Sequence, residues 1–326
     1  MNDHFLSTLK QVTGTEDLGR TENIQNLWSG YGKIIRYNLK NAPEKSVVVK
    51  HVRLLDGSKN PREWNSDLSH ERKLKSYRVE SYWYQNYSKK CDEHCRVANC
   101  LAVEHYGDEV LMVLEDLDDA GFPKRKDRVT WNEVEICLEW LANFHATFLG
   151  EKPEGLWETG TYWHLETRHE ELEVLKDLEL KEAAEIIDQK LSETAFPTFV
   201  HGDAKLANFC FSADGKSVAA VDFQYVGGGC GMKDVAYFIG SCMLEEDCEV
   251  LESQILNTYF IALQQALTRL EKQVDFVALE KDWRALYYVA WTDFHRFLKG
   301  WSPGHWKINS YSERISRKVI SELTTL

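Results

Sequence analysis

The segment from residue 198 to residue 222 constrains this chain more than any other part of its sequence. A short apolar run breaks into a loop that carries Asp203 and Asn208, and two further apolar runs flank an Asp-Gly turn, which predicts a β-hairpin. The hairpin folds the chain back, so Asp222, at the end of its second strand, can lie beside Asn208, at the start of its first. Carboxylate and amide oxygens are ligands that hard cations prefer. The segment therefore predicts a loop, a hairpin and a cation site built from them.

The spacing of these polar residues points to phosphoryl transfer. In a kinase catalytic loop, an Asp accepts the proton of the attacking hydroxyl, an Asn after four intervening residues holds magnesium, and a second Asp on a following strand holds magnesium against the nucleotide phosphates. Asp203, Asn208 and Asp222 match those positions in order. Lys205 lies two residues after the predicted base, where it could stabilise charge on the transferred phosphoryl group or be an ordinary surface lysine. The expected cofactors are ATP and Mg²⁺.

The stretch from Phe199 to Phe238 resembles the aminoglycoside phosphotransferase and choline kinase superfamily, above all its ecdysteroid-kinase-like branch. These are small-molecule kinases with a protein-kinase-like fold. The resemblance implies an α+β chain, with a small N-terminal antiparallel-sheet lobe (1–117) that binds the nucleotide and a larger, mainly helical C-terminal lobe (118–326) that holds the catalytic and substrate residues. It also implies that Asp234 braces the catalytic loop by accepting backbone hydrogen bonds, although its residue type equally suits a helix cap.

The predicted N-terminal lobe has one lysine inside an apolar, β-branched run, Ser46–Val52. In the family, the lysine on this strand reaches the nucleotide phosphates and pairs with a glutamate on the next helix, and Lys50 matches it. Glu80 is the expected partner, because this branch commonly carries a glutamate shortly before an aromatic pair. Glu71 is the competing choice, and either glutamate could instead lie on a solvated helix face.

Two further parts of this lobe are predicted to contact the nucleotide. Gly30 and Gly32 lie between two probable strands, where backbone N–H groups could approach the phosphates without clashes from Cβ atoms. A third glycine is missing, and no Gly-Lys-Ser/Thr makes the loop a P-loop. The resemblance also implies that the backbone of Glu115, Asp116 and Leu117, where the lobe ends, hydrogen-bonds adenine. This acidic cluster could equally be a solvated linker.

Beyond residue 117 the pattern becomes helical. Apolar residues recur at three-to-four spacing from Trp131 to Phe148, and helical patterns also cover Tyr162–Leu191, Glu246–Lys272 and Leu279–Lys299. His145 lies on an apolar face, which is typical of a core histidine, and we leave it out of the predicted site.

Composition and charge limit the function classes. A chain of 326 residues with 43% hydrophobic residues and 11 Trp can bury a large core and form two lobes. A net charge of -13 argues against binding to nucleic acid or anionic membranes, which requires a basic surface. No stretch approaches the roughly twenty apolar residues of a membrane span, and the N-terminus does not resemble a signal peptide. We expect a cytoplasmic protein.

The cysteines predict neither a disulfide framework nor a strong metal site. Eight cysteines are scattered along the chain, and thiols in the cytosol usually remain reduced. Cys91, His94, Cys95 and Cys100 invite a zinc interpretation, but their spacing does not match paired Cys-x-x-Cys knuckles, and we treat them as bystanders.

Other functions remain open at this stage. A protein kinase needs an ordered segment to present a peptide, yet only eleven residues, Phe223–Lys233, separate Asp222 from Asp234, and four of them are glycine. A metal-dependent hydrolase could use His201, Asp203, Asp222 and His145. A catalytically silent nucleotide-binding module is also possible, although it would normally have lost one of the three site residues.

The acceptor of the phosphoryl group is expected to be a small-molecule hydroxyl: an amino alcohol, an aminoglycoside, a sugar or a steroid-like compound. The resemblance places acceptor binding in the helical lobe. An aromatic and acidic pocket there would suit an ammonium group or a hydroxylated apolar molecule. The candidate pocket residues are Trp283, Tyr287, Trp291, Asp293, His295, Trp301 and Trp306.

Overall fold

The computed structural model describes residues 3–27, 30–54 and 67–325. The chain divides into two compact units. The first unit contains the described residues up to Asp92 together with Arg96–Lys124 and Cys210–Gln224, and the second contains Glu93–Cys95, Arg125–Phe209 and the chain from Tyr225 onward.

A five-stranded antiparallel sheet forms the first unit. Its spatial order is β1-β2-β3-β5-β4. The strands are β1 (Leu18–Asn26), β2 (Gly32–Leu39), β3 (Ser46–Arg53), β4 (Cys100–Tyr106) and β5 (Glu109–Glu115). The sequence predicts β3 to within a residue, because a β-branched and apolar run forms a central strand.

The two faces of this sheet have different roles. Val47 and Val49 of β3 pack with Phe5 and Leu9 of helix α1 (Asp3–Thr13) in an apolar cluster. Alternate residues of a strand point to opposite faces, so Lys50 faces away from this cluster. On its side lies helix α2 (Asp67–Asn86), which carries Glu80. The pleat of β3 therefore separates the core from the lysine.

The predicted hairpin belongs to the first unit, apart from its first residue. Strands β7 (Phe209–Phe211) and β8 (Val218–Ala220) pair with each other. Phe211 exchanges backbone hydrogen bonds with Lys124, and the Ala220 N–H donates to the Arg96 carbonyl at 3.0 Å. The unit thus includes 210–224 and extends to Lys124, whereas the expected division followed chain order and fell after residue 117. Backbone pairing between distant segments is the physical reason for the difference.

Helices dominate the second unit. They are α3 (Trp131–Phe148), α4 (His169–Glu173), α5 (Leu178–Glu182), α6 (Ala184–Ser192), α7 (Met232–Cys242), α8 (Glu245–Arg269), α9 (Phe276–Trp301) and α10 (Ser310–Thr324). Two short strands, β6 (Thr198–Val200) and β9 (Gly227–Gly229), pair antiparallel. The α+β class with an antiparallel sheet and a mainly helical remainder is confirmed.

Helix α3 has the predicted bounds, and the predicted helix over Tyr162–Leu191 is wrong in its continuity. Thr130 and Glu133 form a capping box that sets the start of α3. The Tyr162–Leu191 segment instead contains three short helices, and the Asp177 side chain caps the second of them by accepting from the Leu180 N–H at 3.2 Å. A capping side chain inside a periodic pattern starts a new helix, and periodicity alone does not reveal it.

Among the helices that the structure describes, none combines the length and the apolar character needed to cross a lipid bilayer.

The glycines before and at the start of β2 meet different surroundings. Gly30 has a φ of +79°, and a Cβ atom added there would meet nothing within 4 Å. Gly32 has a φ of +145°, and a Cβ atom added there would lie 1.9 Å from the His51 carbonyl oxygen of β3. The close approach of β2 to β3 therefore already requires a glycine at residue 32, whatever the loop binds.

We predict that Gly32→Ala destabilises the protein much more than Gly30→Ala. The backbone clash and the unfavourable φ at residue 32 should lower the free energy of unfolding by at least about 2 kcal/mol. Gly30→Ala meets only the left-handed backbone penalty of about 1 kcal/mol. Urea denaturation of the two variants measures the difference, and equal effects would contradict this account of β2.

Candidate active site

A buried carboxylate fixes the loop that carries the predicted base. The Asp234 carboxylate accepts the backbone N–H of His201 at 2.5 Å and that of Gly202 at 3.0 Å. Asp234 lies in the first turn of α7 and is fully buried. The predicted brace is confirmed, and two charge-assisted hydrogen bonds hold the backbone directly before Asp203.

Behind this brace, His145 connects α3 to the same carboxylate. Its Nε2 lies 3.1 Å from Asp234 Oδ2, and its Nδ1 lies 2.8 Å from the Tyr259 hydroxyl. The imidazole is fully buried, as predicted for a core histidine. Both ring nitrogens are already engaged by the protein, so His145 has no nitrogen left to bind a metal or activate water. This observation weighs against the hydrolase alternative.

The chain turns sharply at Gly202 to present the next residue. Its φ is +79°, and a Cβ atom there would lie 2.1 Å from the Tyr225 carbonyl oxygen. Only glycine combines a left-handed backbone with so close an approach of another segment. Steric constraints thus explain the glycine in His-Gly-Asp. It lets the loop turn at the point where Asp234 holds the backbone.

Three donors orient the carboxylate of Asp203. Lys205 Nζ lies 2.7 Å from Oδ2, Asn208 Nδ2 donates to Oδ2 at 3.1 Å, and the Tyr237 hydroxyl donates to Oδ1 at 3.1 Å. Burial, together with the charge of Asp203, raises the pKa of Tyr237 well above its ordinary value, so its hydroxyl stays protonated and can donate. Asp203 itself is buried, while the Lys205 side chain is 39% exposed.

The amide of Asn208 is held in one orientation. Its Nδ2 donates to the Asp203 carbonyl at 2.7 Å as well as to the Asp203 carboxylate. Because the NH₂ end is engaged, the oxygen end remains for a ligand, and an amide oxygen suits a hard cation. The donor chemistry at this position therefore fits Mg²⁺.

The predicted ion pair in the first unit is present. Lys50 Nζ lies 2.6 Å from Glu80 Oε2, and both side chains are almost completely buried. Asp222 also lies near the ammonium, with its Oδ1 3.7 Å from Lys50 Nζ. Burial acts to lower the pKa of Lys50, but the charges of Glu80 and Asp222 outweigh it and raise the pKa, so the lysine stays charged. Glu71, the competing partner, lies exposed on the same helix.

The two residues after Asp222 attach the segment that carries this carboxylate to helix α2. Asp222 has a left-handed backbone with a φ of 69°, a conformation that few residues other than glycine adopt, and its side chain is 35% exposed. The Phe223 ring stacks on Trp83 of α2 with centroids 4.7 Å apart. The side-chain oxygen of buried Gln224 accepts from Lys73 Nζ at 2.8 Å and from the Ser76 hydroxyl at 3.2 Å, both on α2.

This arrangement gives a physical role to the departure from Asp-Phe-Gly. A glycine after Phe223 would leave the segment without a side-chain anchor. Gln224 instead ties it to the helix that also carries Glu80. The position of Asp222 and the Lys50–Glu80 pair therefore depend on one helix.

The segment that follows β5 is held by its own side chains. The Glu115 carboxylate pairs with Arg96 at 2.5 Å, and the Asp116 carboxylate pairs with Arg36 at 2.5 Å and accepts from the Ser46 hydroxyl at 2.6 Å. Both carboxylates are therefore engaged by side chains of the protein itself. The acidic cluster is thus part of an ion-pair network rather than a solvated linker. Adenine binding by the backbone of Glu115, Asp116 and Leu117 remains a prediction.

The structure separates the predicted residues into two sets. Lys50, Glu80 and Asp222 lie together in the first unit, and Asp203, Lys205 and Asn208 lie together in the second. The predicted convergence of Asn208 and Asp222 on one cation joins residues of different units and stays a prediction. So does phosphate binding by Gly30 and Gly32.

Other metal chemistry finds no support in the described ranges. No three His, Cys, Asp or Glu side chains there are grouped so that they could hold a metal ion, which includes the set around Cys91 and Cys95. The structure describes all eight cysteines, and no disulfide joins any of them.

Most of the predicted acceptor-pocket residues are core residues instead. Five of them are at most 3% exposed: Trp283, Tyr287, Trp291, Asp293 and His295. Asp293 accepts from the Trp163 indole at 3.0 Å and pairs with Arg296 at 2.7 Å, so its charge is used inside the unit. Aromatic residues at helical spacing cannot be divided into core and pocket by sequence. Trp301 and Trp306 are 43% and 57% exposed and stay candidates.

Two residues beside Asp203 were missed by sequence reasoning. Tyr237 lies one helical turn after Asp234 on α7, and this spacing was the signal that could have placed it near the loop. Lys307 lies between α9 and α10, and its ammonium lies 4.9 Å from the centre of the Tyr237 ring. Only its position next to Trp306 distinguished it from other lysines.

We predict that the Gln224 side chain stabilises the first unit through Lys73. Gln224→Leu and Lys73→Met should each lower the free energy of unfolding, Gln224→Leu by about 1.5–3 kcal/mol, because a hydrogen bond to a charged donor is lost. The double variant should lose less than the sum of the single variants, since both changes remove the same interaction. Denaturant titration measures this coupling, and strictly additive losses would contradict the proposed link.

Comparison with known proteins gives neighbours among solved structures. An ethanolamine kinase of Plasmodium vivax is 10% identical, with 95% of this chain and 85% of that chain covered and a TM-score of 0.51. A choline/ethanolamine kinase family protein of Mesorhizobium loti is 12% identical over 94% and 89% of the two chains, with a TM-score of 0.43. An aminoglycoside phosphotransferase of Streptomyces rimosus, solved with ADP and streptomycin, is 15% identical over 88% and 99%, with a TM-score of 0.45. A search of curated proteins found no match.

At such identities the likeness concerns the fold, which is kinase-like as predicted. The sequence model of the ecdysteroid kinase-like family matches residues 40–154 and 158–272. These ranges cover well over half of the chain, including the strand of Lys50, the loop of Asp203 and α7. The chain belongs to the ecdysteroid kinase-like family.

Proposed function

We propose that this protein is a kinase that transfers the γ-phosphoryl group of ATP to a hydroxyl of a small molecule. The observation that carries the proposal is the Asp203 carboxylate, held by Lys205, Asn208 and Tyr237 on a loop that Asp234 braces. The Lys50–Glu80 pair beside Asp222 supplies the matching nucleotide-binding set. Membership of a kinase-like family supports the same reaction class.

In the proposed reaction, the acceptor oxygen attacks the γ-phosphorus and the bond to the bridging oxygen of ADP breaks. Asp203 accepts the hydroxyl proton, which leaves a phosphate ester, ADP and a protonated carboxyl group that later returns its proton to water. Lys205 lies close enough to Asp203 to stabilise the negative charge that develops on the transferred phosphoryl group. Lys50 holds nucleotide phosphates, and its 2.6 Å ion pair with Glu80 keeps the ammonium in place.

A bound Mg²⁺ would neutralise phosphate charge, and Asn208 and Asp222 are the residues that would hold it. The donor set fits this ion, because each residue offers a hard oxygen: the amide oxygen of Asn208 and the partly exposed carboxylate of Asp222.

A small molecule is the proposed acceptor because the chain from Phe223 to Lys233 is short and already structured. It contains β9, which pairs with β6, and ends where α7 begins. This leaves little chain for the peptide platform of a protein kinase. We also propose that the protein acts without nucleic-acid or membrane partners, in the cytoplasm, as its charge and sequence suggest.

Asp203→Asn tests the base. Turnover should fall by about 10²–10⁴-fold, the usual contribution of a general base, while ATP affinity stays nearly unchanged because the amide keeps the shape of the side chain. Asp247→Asn, the same change at an exposed position of α8, is the control and should behave as wild type. ADP release with a panel of alcohols, and calorimetric titration with ATP and magnesium, give the two quantities. Turnover retained in Asp203→Asn would remove the residue from this role.

Glu80→Gln and Glu71→Gln test the nucleotide-binding pair on one helix. Loss of the Glu80 charge leaves buried Lys50 without its nearest carboxylate, so thermal stabilisation by ATP with magnesium should shrink markedly. Lys50→Ala should weaken it further. Glu71 is exposed, and its variant should be stabilised by the nucleotide as the wild type is. The reverse ranking of the two glutamates would refute the assignment.

A further inference from the structure

Among the described residues, one cation near the candidate base forms no ion pair with a carboxylate. Lys307 lies in the connection between α9 and α10, and its backbone is fixed there. Its N–H donates to His305 Nδ1 at 3.2 Å, and its carbonyl accepts from the Ser312 hydroxyl at 3.3 Å. The backbone that carries the Lys307 side chain therefore has a defined position.

Aromatic rings surround this ammonium. Its Nζ lies 4.9 Å from the Tyr237 ring centre, 5.4 Å from that of Phe294 and 5.7 Å from that of Trp306. No Asp or Glu of the described chain lies within the 4.0 Å of an ion pair. Burial lowers the pKa of Lys307 to about 8, although the nearby charge of Asp203 opposes the shift. The half-buried cation is thus partly desolvated and only partly compensated.

The other cations of this region are already paired. Lys205 forms its ion pair with Asp203 at 2.7 Å. Arg168 pairs with Glu171 at 2.9 Å, and its guanidinium lies over the Tyr162 and Phe297 rings at 5.9 and 5.1 Å. Lys307 differs from Lys205 and Arg168 because it forms no such ion pair within the described chain.

The same contacts weigh against a cationic acceptor. An ammonium substrate would need an aromatic face and an uncompensated carboxylate. Here Lys307 and Arg168 already lie over the rings around Tyr237 and Tyr162, and Lys205 pairs with the carboxylate of Asp203. A second positive charge beside Lys307 would be repelled in a poorly solvated place.

We propose that the acceptor alcohol carries a negatively charged group and that Lys307 binds this group. The inference rests on the proposed function and narrows its substrate class. The hydroxyl faces Asp203, while a carboxylate, sulfate or phosphate ester of the same molecule pairs with the ammonium. Tyr237 links the two points, since its hydroxyl donates to Asp203 and its ring lies under Lys307. The surrounding rings favour an apolar or aromatic frame between the two groups.

Three benzylic alcohols that differ only in charge test the proposal. They are 4-(hydroxymethyl)benzoate, 1,4-benzenedimethanol and 4-(aminomethyl)benzyl alcohol. Wild type should use the anionic alcohol with a kcat/KM at least about tenfold above that of the cationic one, the effect of one charge-assisted contact. Calorimetric titration of the same alcohols in the absence of nucleotide should give the same order.

Two changes at Lys307 and one control make the test specific. Lys307→Met keeps the length of the side chain and should bring the anionic alcohol down to the level of the neutral one. Lys307→Glu should reverse the order of the charged pair. Lys318→Glu makes the same charge change on α10, at a side chain that is 68% exposed with its Nζ 5.6 Å from the Tyr288 ring centre, and should leave the order as in wild type.

Each outcome of these measurements either supports or overturns the proposed role of Lys307. The expected reversal with an unchanged KM for ATP supports the proposal. A wild-type preference for the neutral or cationic alcohol overturns it, and so does an order that survives in Lys307→Met. A raised KM for ATP with an unchanged acceptor order assigns Lys307 to the nucleotide and also overturns it. If the wild type binds the anionic alcohol in the calorimeter but phosphorylates none of the three, the proposed function fails, and the inference about the acceptor falls with it.

Discussion

The buried carboxylate of Asp234 is the constraint on which the candidate site depends. It accepts two backbone N–H groups of the catalytic loop and meets the imidazole of His145 from behind. A buried charge is unfavourable unless hydrogen bonds satisfy it, so the loop and the helix that carries Asp234 hold each other in place. Asp203 follows directly after this brace. The position of the proposed base is therefore set by a carboxylate on another element, which holds the backbone of the two preceding residues.

Helix α2 has the same organising role in the first unit. It supplies Glu80 to the buried lysine, Trp83 to Phe223, and Lys73 and Ser76 to Gln224. A movement of this helix would disturb the ion pair and the segment of Asp222 together. Protein kinases with Asp-Phe-Gly have a flexible residue where this chain has an anchored one. The structure thus favours a site that is held in one arrangement by side-chain contacts.

The charged side chains around Asp203 limit which kind of substrate could bind there. Aromatic rings near a carboxylate could receive an ammonium group, and the sequence alone left this possibility open. The structure places the ammonium of Lys307 over those rings. An interaction that could have recognised a substrate is therefore made within the protein.

The sequence by itself determined the local elements and the candidate site residues. Runs of β-branched residues define β3 and β5, the three-to-four periodicity defines α3, and residue spacing identifies Asp203, Asn208 and Asp222. These signals are short-range, because strand and helix periodicity and turn chemistry act over a few residues. The choice of Glu80 over Glu71 was possible only through resemblance to a family, since both lie on one helix.

Only the tertiary structure decided which side chains meet across long distances in the chain. It assigned Trp283, Tyr287 and Trp291 to the core, joined the hairpin to the first unit, and brought Lys307 over the ring of Tyr237, whose hydroxyl donates to Asp203. Periodicity shows that a residue faces inward, but it does not show whether a neighbouring element fills the space there. That outcome depends on how distant segments pack together and share buried charge.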